Sequence, residues 1–332
     1  MAEPLIAVVI PCYRVRAQIL DVLGRIGPEC GRIYVVDDAC PEASGKAVQE
    51  HCRDPRVRVL FHETNQGVGG AVMTGYAQAL RDGAAVLVKM DGDGQMDPAL
   101  LPRFLGPILR GQADYTKGNR FFDIEGVRSM PLVRLLGNTV LSFLAKLSSG
   151  YWNVFDPTNG YTAIHAAVAR LLPLDKLSRR YFFESDLLFR LGTLRACVVD
   201  VPMTAVYGAE TSSLRVRAVA FDFFWRHAVN TVKRIFYNYF LRGFSAASVE
   251  LVLGTALAAF GAAFGAWAWI VNEARGTAAS TGTVMLAALP VILGMQFLVS
   301  FLANDIAAVP HQAIHPLLQE GPPPWRSGPN SL

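Results

Sequence analysis

The chain has 332 residues, 52% of them apolar and only 17% charged, with a mean hydropathy of +0.29 and a formal net charge of +4. That balance excludes a disulfide mini-protein and a disordered chain. It also excludes the strong basic footprint of a nucleic-acid binder, so no nucleic-acid partner is expected.

In chain order, residues 5–10 lack a basic leader and stop at Pro11, which predicts a strand rather than a signal peptide. Further strands are predicted at 33–36, 57–61 and 85–90, alternating with helical spacing at 17–26, 45–51 and 71–81. This alternation points to an α/β fold, a mostly parallel sheet with helices on both faces. Residues 114–118 read as one more strand. The texture then changes: 132–148 and 218–244 are helical patterns that mix large apolar residues with Arg and Lys, as in Phe223-Phe224-Trp225-Arg226. Both suit either an amphipathic core helix or a helix lying on a membrane, and for 218–244 its position directly before a long uncharged run favours the second.

That run, residues 251–271, and a second one, 284–303, hold no charged side chain. At about 1.5 Å per residue each run crosses roughly the 30 Å of a bilayer core, which predicts two transmembrane helices. The expected organisation is a globular domain over 1–217, interfacial helices over 218–248, a membrane hairpin over 249–304, and a tail over 305–332 whose Pro-rich end, 321–332, is disordered. Lys233, Arg234 and Arg242 precede the first run, whereas the loop 272–283 offers only Arg275 against Glu273. The positive-inside rule then predicts a multi-pass protein of the inner or plasma membrane, its globular domain cytoplasmic. The cysteines Cys12, Cys30, Cys40, Cys52 and Cys197 form no C-x-x-C pair, which predicts reduced thiols rather than a zinc site or a disulfide framework. His51, His62, His165, His227, His311 and His315 lack ligand spacing and are expected to be solvated or to cap helices.

Three segments could carry chemistry. Val35-Val36-Asp37-Asp38 reads as a buried strand ending in two carboxylates, and the carboxyl ends of parallel strands are where ligands bind. Asp91-Gly92-Asp93-Gly94-Gln95 again follows an apolar strand, and alternating carboxylates with small residues between them can converge on one hard cation. An EF-hand is excluded, because Arg103 stands where its twelfth-position Glu belongs. Asn65-Gln66-Gly67-Val68-Gly69-Gly70-Ala71 is a Gly-rich turn opening a helix, suited to phosphate or to tight packing. It is no P-loop, and the first strand leads into Pro11-Cys12-Tyr13 rather than a dinucleotide fingerprint.

Taken together, Pro11 and Tyr13, Val36-Asp37-Asp38, the Asn65–Ala71 turn and Asp91–Gln95 resemble the family 2 glycosyltransferases of the GT-A fold. Within them the chain looks most like the polyprenyl-phosphate glycosyltransferases of the dolichol-phosphate-mannose-synthase-like group. Further matches are Lys117-Gly118-Asn119-Arg120-Phe121, Arg134 within 130–138, Asp156-Pro157-Thr158-Asn159-Gly160-Tyr161, Phe182-Phe183-Glu184-Ser185-Asp186, and Tyr207-Gly208 with Ser212-Ser213-Leu214. The resemblance implies a nucleotide-diphosphate sugar donor, Mg²⁺ or Mn²⁺, a membrane polyprenyl phosphate acceptor, inversion at the sugar carbon and assembly as a homo-oligomer. By the same resemblance Pro11, Tyr13, Asp38 and Gly69 line the donor, Asp91 meets its ribose or diphosphate, and Asp93 with Gln95 holds the metal. Arg120 and Arg134 bind the acceptor phosphate, with Asp156 or Asp186 orienting an arginine or the acceptor. Where family members have Asn-Glu after the Tyr and Gly-Ser after Asp-Asp, this chain has Arg14-Val15 and Ala39-Cys40, both beside the expected nucleotide pocket. UDP-glucose is the first expected donor and GDP-mannose the second.

The chemistry has its own logic. Breaking a sugar–diphosphate bond puts negative charge on the leaving group, which a divalent cation neutralises. A phosphate monoester acceptor is already largely ionised at neutral pH, so it needs orientation more than a general base. Two alternatives stand beside this one: a processive polysaccharide synthase, disfavoured by the missing Gln-x-x-Arg-Trp motif, and a non-catalytic membrane scaffold.

Overall fold

The structure, a computed structural model, describes residues 3–122, 132–203 and 216–319, with only the backbone described at 132–136, 138, 216–220 and 319. It divides into two units, Met1–Thr231 with Pro310–Leu332, and Val232–Val309.

The first unit is built on a seven-stranded sheet. Its strands are β1 (Ile6–Cys12), β2 (Arg32–Asp37), β3 (Val57–Phe61), β4 (Val86–Lys89), β5 (Tyr115–Asn119), β6 (Thr162–His165) and β7 (Val198–Pro202), in the order β3-β2-β1-β4-β6-β5-β7. All neighbours are parallel except that β6 runs antiparallel to both β4 and β5. The carboxyl ends of the other six strands therefore share one edge of the sheet. Alternation along β1 explains the two layers: Ile6, Val8, Ile10 and Cys12 join Ile33, Val35, Val86 and Val88 in a core closed by Ile19, Val22, Leu101 and Phe104. On the other face Val9 meets the Val68–Arg81 helix so closely that a Cβ on Gly75 would strike its side chain. Each fully buried Val or Ile here contributes about 1.5–3 kcal/mol. β1 pairs with β4 only as far as Val9, so Pro11 lies where the missing amide leaves no ladder bond unmade on that side.

The unit also contains a segment that the sequence assigns to a tail. Asp114, fully buried before β5, accepts hydrogen bonds from the backbone amides of Cys197 (2.8 Å), Ile314 (2.9 Å) and His315 (2.8 Å), and its Oδ1 lies 2.8 Å from His315 Nδ1. The His315 ring stacks on His165 with centroids 4.1 Å apart. Residues 310–319 thus pack at the edge opposite the carboxyl ends of the strands, while 321–332, expected to be disordered, lie outside the described residues.

Three of the histidines depart from expectation: His227 and His315 are buried, and the His62 side chain is 6% exposed. His165 is buried too, but it caps a helix as expected, accepting from the Ala167 amide at 3.1 Å. His227 lies 2.8 Å from Ser148 Oγ and against the Phe182 ring. Burial, then the neighbouring His315, pushes the His165 pKa down to about 4, and burial pushes His227 down to about 4 as well. Both rings are therefore neutral in the fold. On acidification the unfolded chain takes up their protons first, at about its ordinary pKa of 6.5, so stability is lost as pH falls from there toward 4. Thermal unfolding is expected to shift down between about pH 7.5 and about pH 5, and His227→Gln to flatten that slope.

The second unit pairs the helices Ala246–Arg275 and Thr281–Ala307, both long and apolar enough to cross a membrane. They approach through small residues: a Cβ on Gly254 would lie 3.0 Å from the Gly294 carbonyl, and one on Gly261 2.7 Å from that of Ala287. Gly276, at φ +62°, closes the first helix, and Ser280 caps the second. Arg234 is buried and bidentate to Asp305 at 2.7 and 2.9 Å, with the Tyr239 hydroxyl donating to the same carboxylate at 2.6 Å.

The expected interfacial stretch is the Val216–Phe236 helix followed by one π-helical turn, Tyr237–Leu241. Phe221, Phe224 and Trp225 are exposed on it, whereas Phe223 packs edge-on against Phe182 at 5.3 Å.

Candidate functional site

The two acidic segments follow β2 and β4, the strands on either side of β1, on the edge where six strands finish. Asp37 and Asp38 close β2 and are both buried, but their carboxylates turn into the protein. Asp37 accepts the amides of Cys40 and Gly45, each at 2.7 Å. Asp38 accepts those of Gln66 (2.8 Å) and Gly67 (2.7 Å) and lies 2.7 Å from His62 Nδ1, whose other nitrogen reaches Thr74 at 2.9 Å. Asp38 therefore fixes the Gly-rich turn from beneath.

Gly67 has φ +84°, and a Cβ there would press on the Arg179 carbonyl at 2.5 Å; at Gly69 it would strike the Ser178 carbonyl and Phe183. The Gly70 amide also donates to the Arg179 carbonyl at 3.2 Å. These glycines admit the close approach of the 178–183 backbone. Tyr13, by contrast, stands exposed just past β1, with the Arg14 guanidinium 5.4 Å from its ring centroid.

The Asp91–Gln95 loop follows β4. Asp93 Oδ1 accepts the Gln95 amide at 3.0 Å, and Gly94 turns the chain at φ +80°. Gly92 packs against Ile10, Val15 and Ile19 on the inner side of the turn. Asp91 Oδ1 is 2.9 Å from the ammonium of Lys89, a fully buried lysine at the end of β4, which also reaches Glu184 Oε1 at 3.1 Å. Burial alone would lower the Lys89 pKa; the two carboxylates outweigh it and hold the group charged.

Arg120 follows β5 directly. Its Nε and Nη2 donate to Asp156 Oδ2 and Oδ1 at 2.7 and 3.0 Å, and its backbone amide to Oδ2 at 3.3 Å. Asp156 is fully buried while Arg120 is 29% exposed at its side chain, so a fixed anion presents a partly open guanidinium. Beneath them a second buried lysine, Lys117, donates to the Asn159 carbonyl. Burial pushes its pKa down to about 8 against the pull of Glu184, Asp156 and Asp200. Burial likewise pushes Asp200 up to about 6. Asp200 holds the Asn119 side chain and the Phe155 amide, each at 3.0 Å, bracing both loops that carry the Arg120–Asp156 pair.

Asp156 is the carboxylate that holds Arg120, whereas Asp186 pairs with a different arginine, Arg190. Glu184 and Asp186 diverge as their spacing requires: Glu184 enters the cluster, and Asp186 accepts the Ser178 amide at 2.9 Å and pairs with Arg190. Arg134 lies on the Leu132–Ser149 helix, its side chain outside the described residues, as are 207–208 and 212–214. Sequence reasoning gave no role to Lys89, Lys117 or Asp200; a lysine ending an apolar strand is the signal that marks the first, and Lys117 stood only within the matched 117–121 segment.

A divalent cation is consistent with the donor set. Among the described residues no three His, Cys, Asp or Glu side chains form a protein-only metal cluster. One carboxylate and one amide, Asp93 and Gln95, are what a Mg²⁺-type ion needs when a diphosphate and water fill its remaining positions.

Residues 7–172, half of the chain, match the family described as glycosyl transferase family 2. Among curated proteins the chain is 35% identical to the undecaprenyl-phosphate mannosyltransferase of Micrococcus luteus, over 60% of this chain and 82% of that one. It is 33% identical to the polyprenol monophosphomannose synthase of Mycolicibacterium smegmatis (59% and 76% covered). It is 29% identical to the UDP-N-acetylglucosamine–dolichyl-phosphate N-acetylglucosaminyltransferase of Methanococcus voltae (62% and 88%). Among solved structures, glucosyl-3-phosphoglycerate synthase from Mycobacterium tuberculosis in complex with UDP shares the fold at a TM-score of 0.52 and 19% identity, covering 70% of this chain and 80% of that one. A complex of the same enzyme with Mn²⁺, UDP and its product aligns at a TM-score of 0.51 and 18% identity, with the same coverage. The mixed sheet, the acidic loop after β4 and the matched residues converge: the chain belongs to glycosyl transferase family 2 and is a glycosyltransferase of the GT-A fold.

Proposed function

We propose that the protein transfers a hexose from a nucleotide-diphosphate sugar to a membrane polyprenyl phosphate, with a divalent cation and inversion at the sugar carbon. The observation that carries this is the pairing, on one sheet edge, of the Asp91–Gln95 loop with a guanidinium that Asp156 holds bidentate. An acidic metal-binding loop suits a diphosphate; a braced arginine suits a second phosphate. The names of the relatives from Micrococcus luteus and Mycolicibacterium smegmatis support the acceptor class, and the Mn²⁺ complex of the structural neighbour supports the cation.

Asp93 and Gln95 would hold Mg²⁺ or Mn²⁺, which neutralises charge on the departing diphosphate. Asp91 meets the ribose or diphosphate, and the Tyr13 edge of β1 receives the nucleotide. Arg120, with Arg134 as its partner from the neighbouring helix, orients the acceptor phosphate. One oxygen of that phosphate bonds to the anomeric carbon from the face opposite the breaking sugar–diphosphate bond. The acceptor arrives ionised, so no side chain need remove a proton.

The two apolar helices keep the enzyme where the prenyl chain partitions, and the sugar nucleotide comes from the cytoplasmic side. With residues 310–319 in the same unit as the strands, both ends of the hairpin belong on one face of the membrane and the turn after Arg275 on the other. Single cysteines placed at 277–280 should be labelled only from outside; labelling of the Asp91 loop from that same face would reverse the orientation.

The deciding experiment is a screen of UDP- and GDP-sugars for transfer to polyprenyl phosphate by purified membranes, UDP-glucose and GDP-mannose first. Arg120→Lys, which loses the bidentate geometry, is expected to cut turnover about tenfold or more while donor affinity without acceptor stays within a fewfold. Loss of donor binding instead would move Arg120 to the donor diphosphate.

A further inference from the structure

Lys89 takes no part in the reaction just described, yet it occupies a place where a lysine is hard to keep. It ends a strand whose other residues, Val86, Leu87 and Val88, are fully buried and apolar, and its own side chain is 2% exposed. An apolar residue there would leave no charge to satisfy. The ammonium is instead satisfied by carboxylates from two separate elements, Asp91 in the loop after β4 and Glu184 in the first turn of the Phe183–Leu194 helix. At 2.9 and 3.1 Å from one nitrogen, those carboxylate oxygens lie at most 6.0 Å from each other.

The surroundings close on this triad. A Cβ on Gly160 would run into both Lys89 Nζ and Asp91 Oδ2, so the 159–161 backbone rests directly on the pair. The Asp91 amide donates to Met96 Sδ at 3.3 Å, which fixes the other side of the loop. Phe183, next to Glu184, presses on Gly69 of the Gly-rich turn. Besides the two carboxylates, the titratable groups facing the cluster are Tyr76 from the Val68–Arg81 helix and Lys117 and Tyr115 from β5. None of these three supplies an exposed cation that could replace Lys89, since all are fully buried.

We propose that Lys89 and Glu184 are positioning residues for the donor site: the Lys89 ammonium fixes the orientation of the Asp91 carboxylate, with Glu184 as its counter-anion. This rests on the assignment of Asp91 to the nucleotide sugar. Asp91 keeps Oδ1 on Lys89 and, with its side chain 32% exposed, presents the open part of the carboxylate to the ribose–diphosphate. Without the lysine, Asp91 and Glu184 would face each other with only the buried Lys117 as a cation on their side, and Asp91 would turn away from Glu184 and out of that position.

The test uses the full chain in detergent micelles and the probes UDP and GDP with Mn²⁺, their affinities measured alongside the thermal midpoint of each variant. Lys89→Met is expected to weaken binding of the preferred nucleotide about tenfold or more. Glu184→Gln alone keeps the Lys89–Asp91 pair and should weaken binding less. The double variant Lys89→Met/Glu184→Gln removes cation and counter-anion together and should recover much of the affinity. Lys89→Arg retains the charge, is expected to keep most of the affinity, and serves as the conservative variant if Lys89→Met does not fold. A lower thermal midpoint in Lys89→Met with an unmoved nucleotide affinity would overturn the proposal and leave Lys89 purely structural. Failure of the wild-type chain to bind either nucleotide would instead overturn the donor-site assignment, and the proposal with it.

Discussion

Asp93→Asn is expected to lower sugar transfer by about two orders of magnitude or more, with little recovered by excess Mn²⁺. The substitution keeps size and shape, and the asparagine oxygen can still accept the Gln95 amide that Asp93 Oδ1 now accepts at 3.0 Å, so the turn survives. What is lost is the anionic ligand. A site that offers one carboxylate and one amide has no second protein anion to compensate, because Asp91 is committed to Lys89 through one oxygen and no protein-only metal cluster exists among the described residues. Raising the metal concentration cannot restore a ligand field the protein no longer supplies. Near-wild-type transfer by this variant, after EDTA treatment and metal resupply, would remove Asp93 from the site.

β1, β2 and β4 were legible because they are buried on both faces and read as nearly unbroken apolar runs. β3 falls on 57–61 as predicted, and β1, β2, β4 and β5 start or end within two residues of their predicted limits. β6 and β7 were missed. Thr162-Ala163-Ile164-His165 is four residues long with polar ends, and its strand character comes from pairing antiparallel to β4 and β5, which no local pattern announces. β7 carries Asp200 inward between apolar neighbours, which breaks the run that would have marked it. The 310–319 segment was invisible for a related reason: its place depends on Asp114, two hundred residues away in sequence.

At the site, motif spacing found the carboxylates but not what each one faces. Asp37, Asp38, Asp91 and Asp156 look alike in sequence. In the fold two of them hold backbone amides, one pairs with a buried lysine and one grips an arginine. Those differences arise from segments that meet only through the sheet, so composition and periodicity carry no trace of them. The helix at Ala246–Arg275 and its partner were, in contrast, fully predictable, since an uncharged run of that length has few other uses.

Asp156→Asn should produce the second large loss, about 100-fold or more in turnover, with donor affinity held within a fewfold. Asp156 Oδ2 alone receives the Arg120 amide, Arg120 Nε and Asn159 Nδ2, while Oδ1 receives Arg120 Nη2. An asparagine can present one acceptor to this set; its amide hydrogens would then oppose guanidinium or amide hydrogens whichever way it turns. Breaking a fully buried pair by removing one partner costs about 3–5 kcal/mol, but Arg120 is 29% exposed and can regain water, so the stability loss should be about half of that or less. The guanidinium would survive but lose its fixed direction, and an acceptor phosphate it no longer orients must find the sugar carbon by chance. Turnover should therefore fall much further than stability. If thermal midpoint and turnover fall together, and Arg120→Lys is nearly silent, Asp156 serves the loop around it rather than the acceptor, and the arginine it holds is not the acceptor's grip.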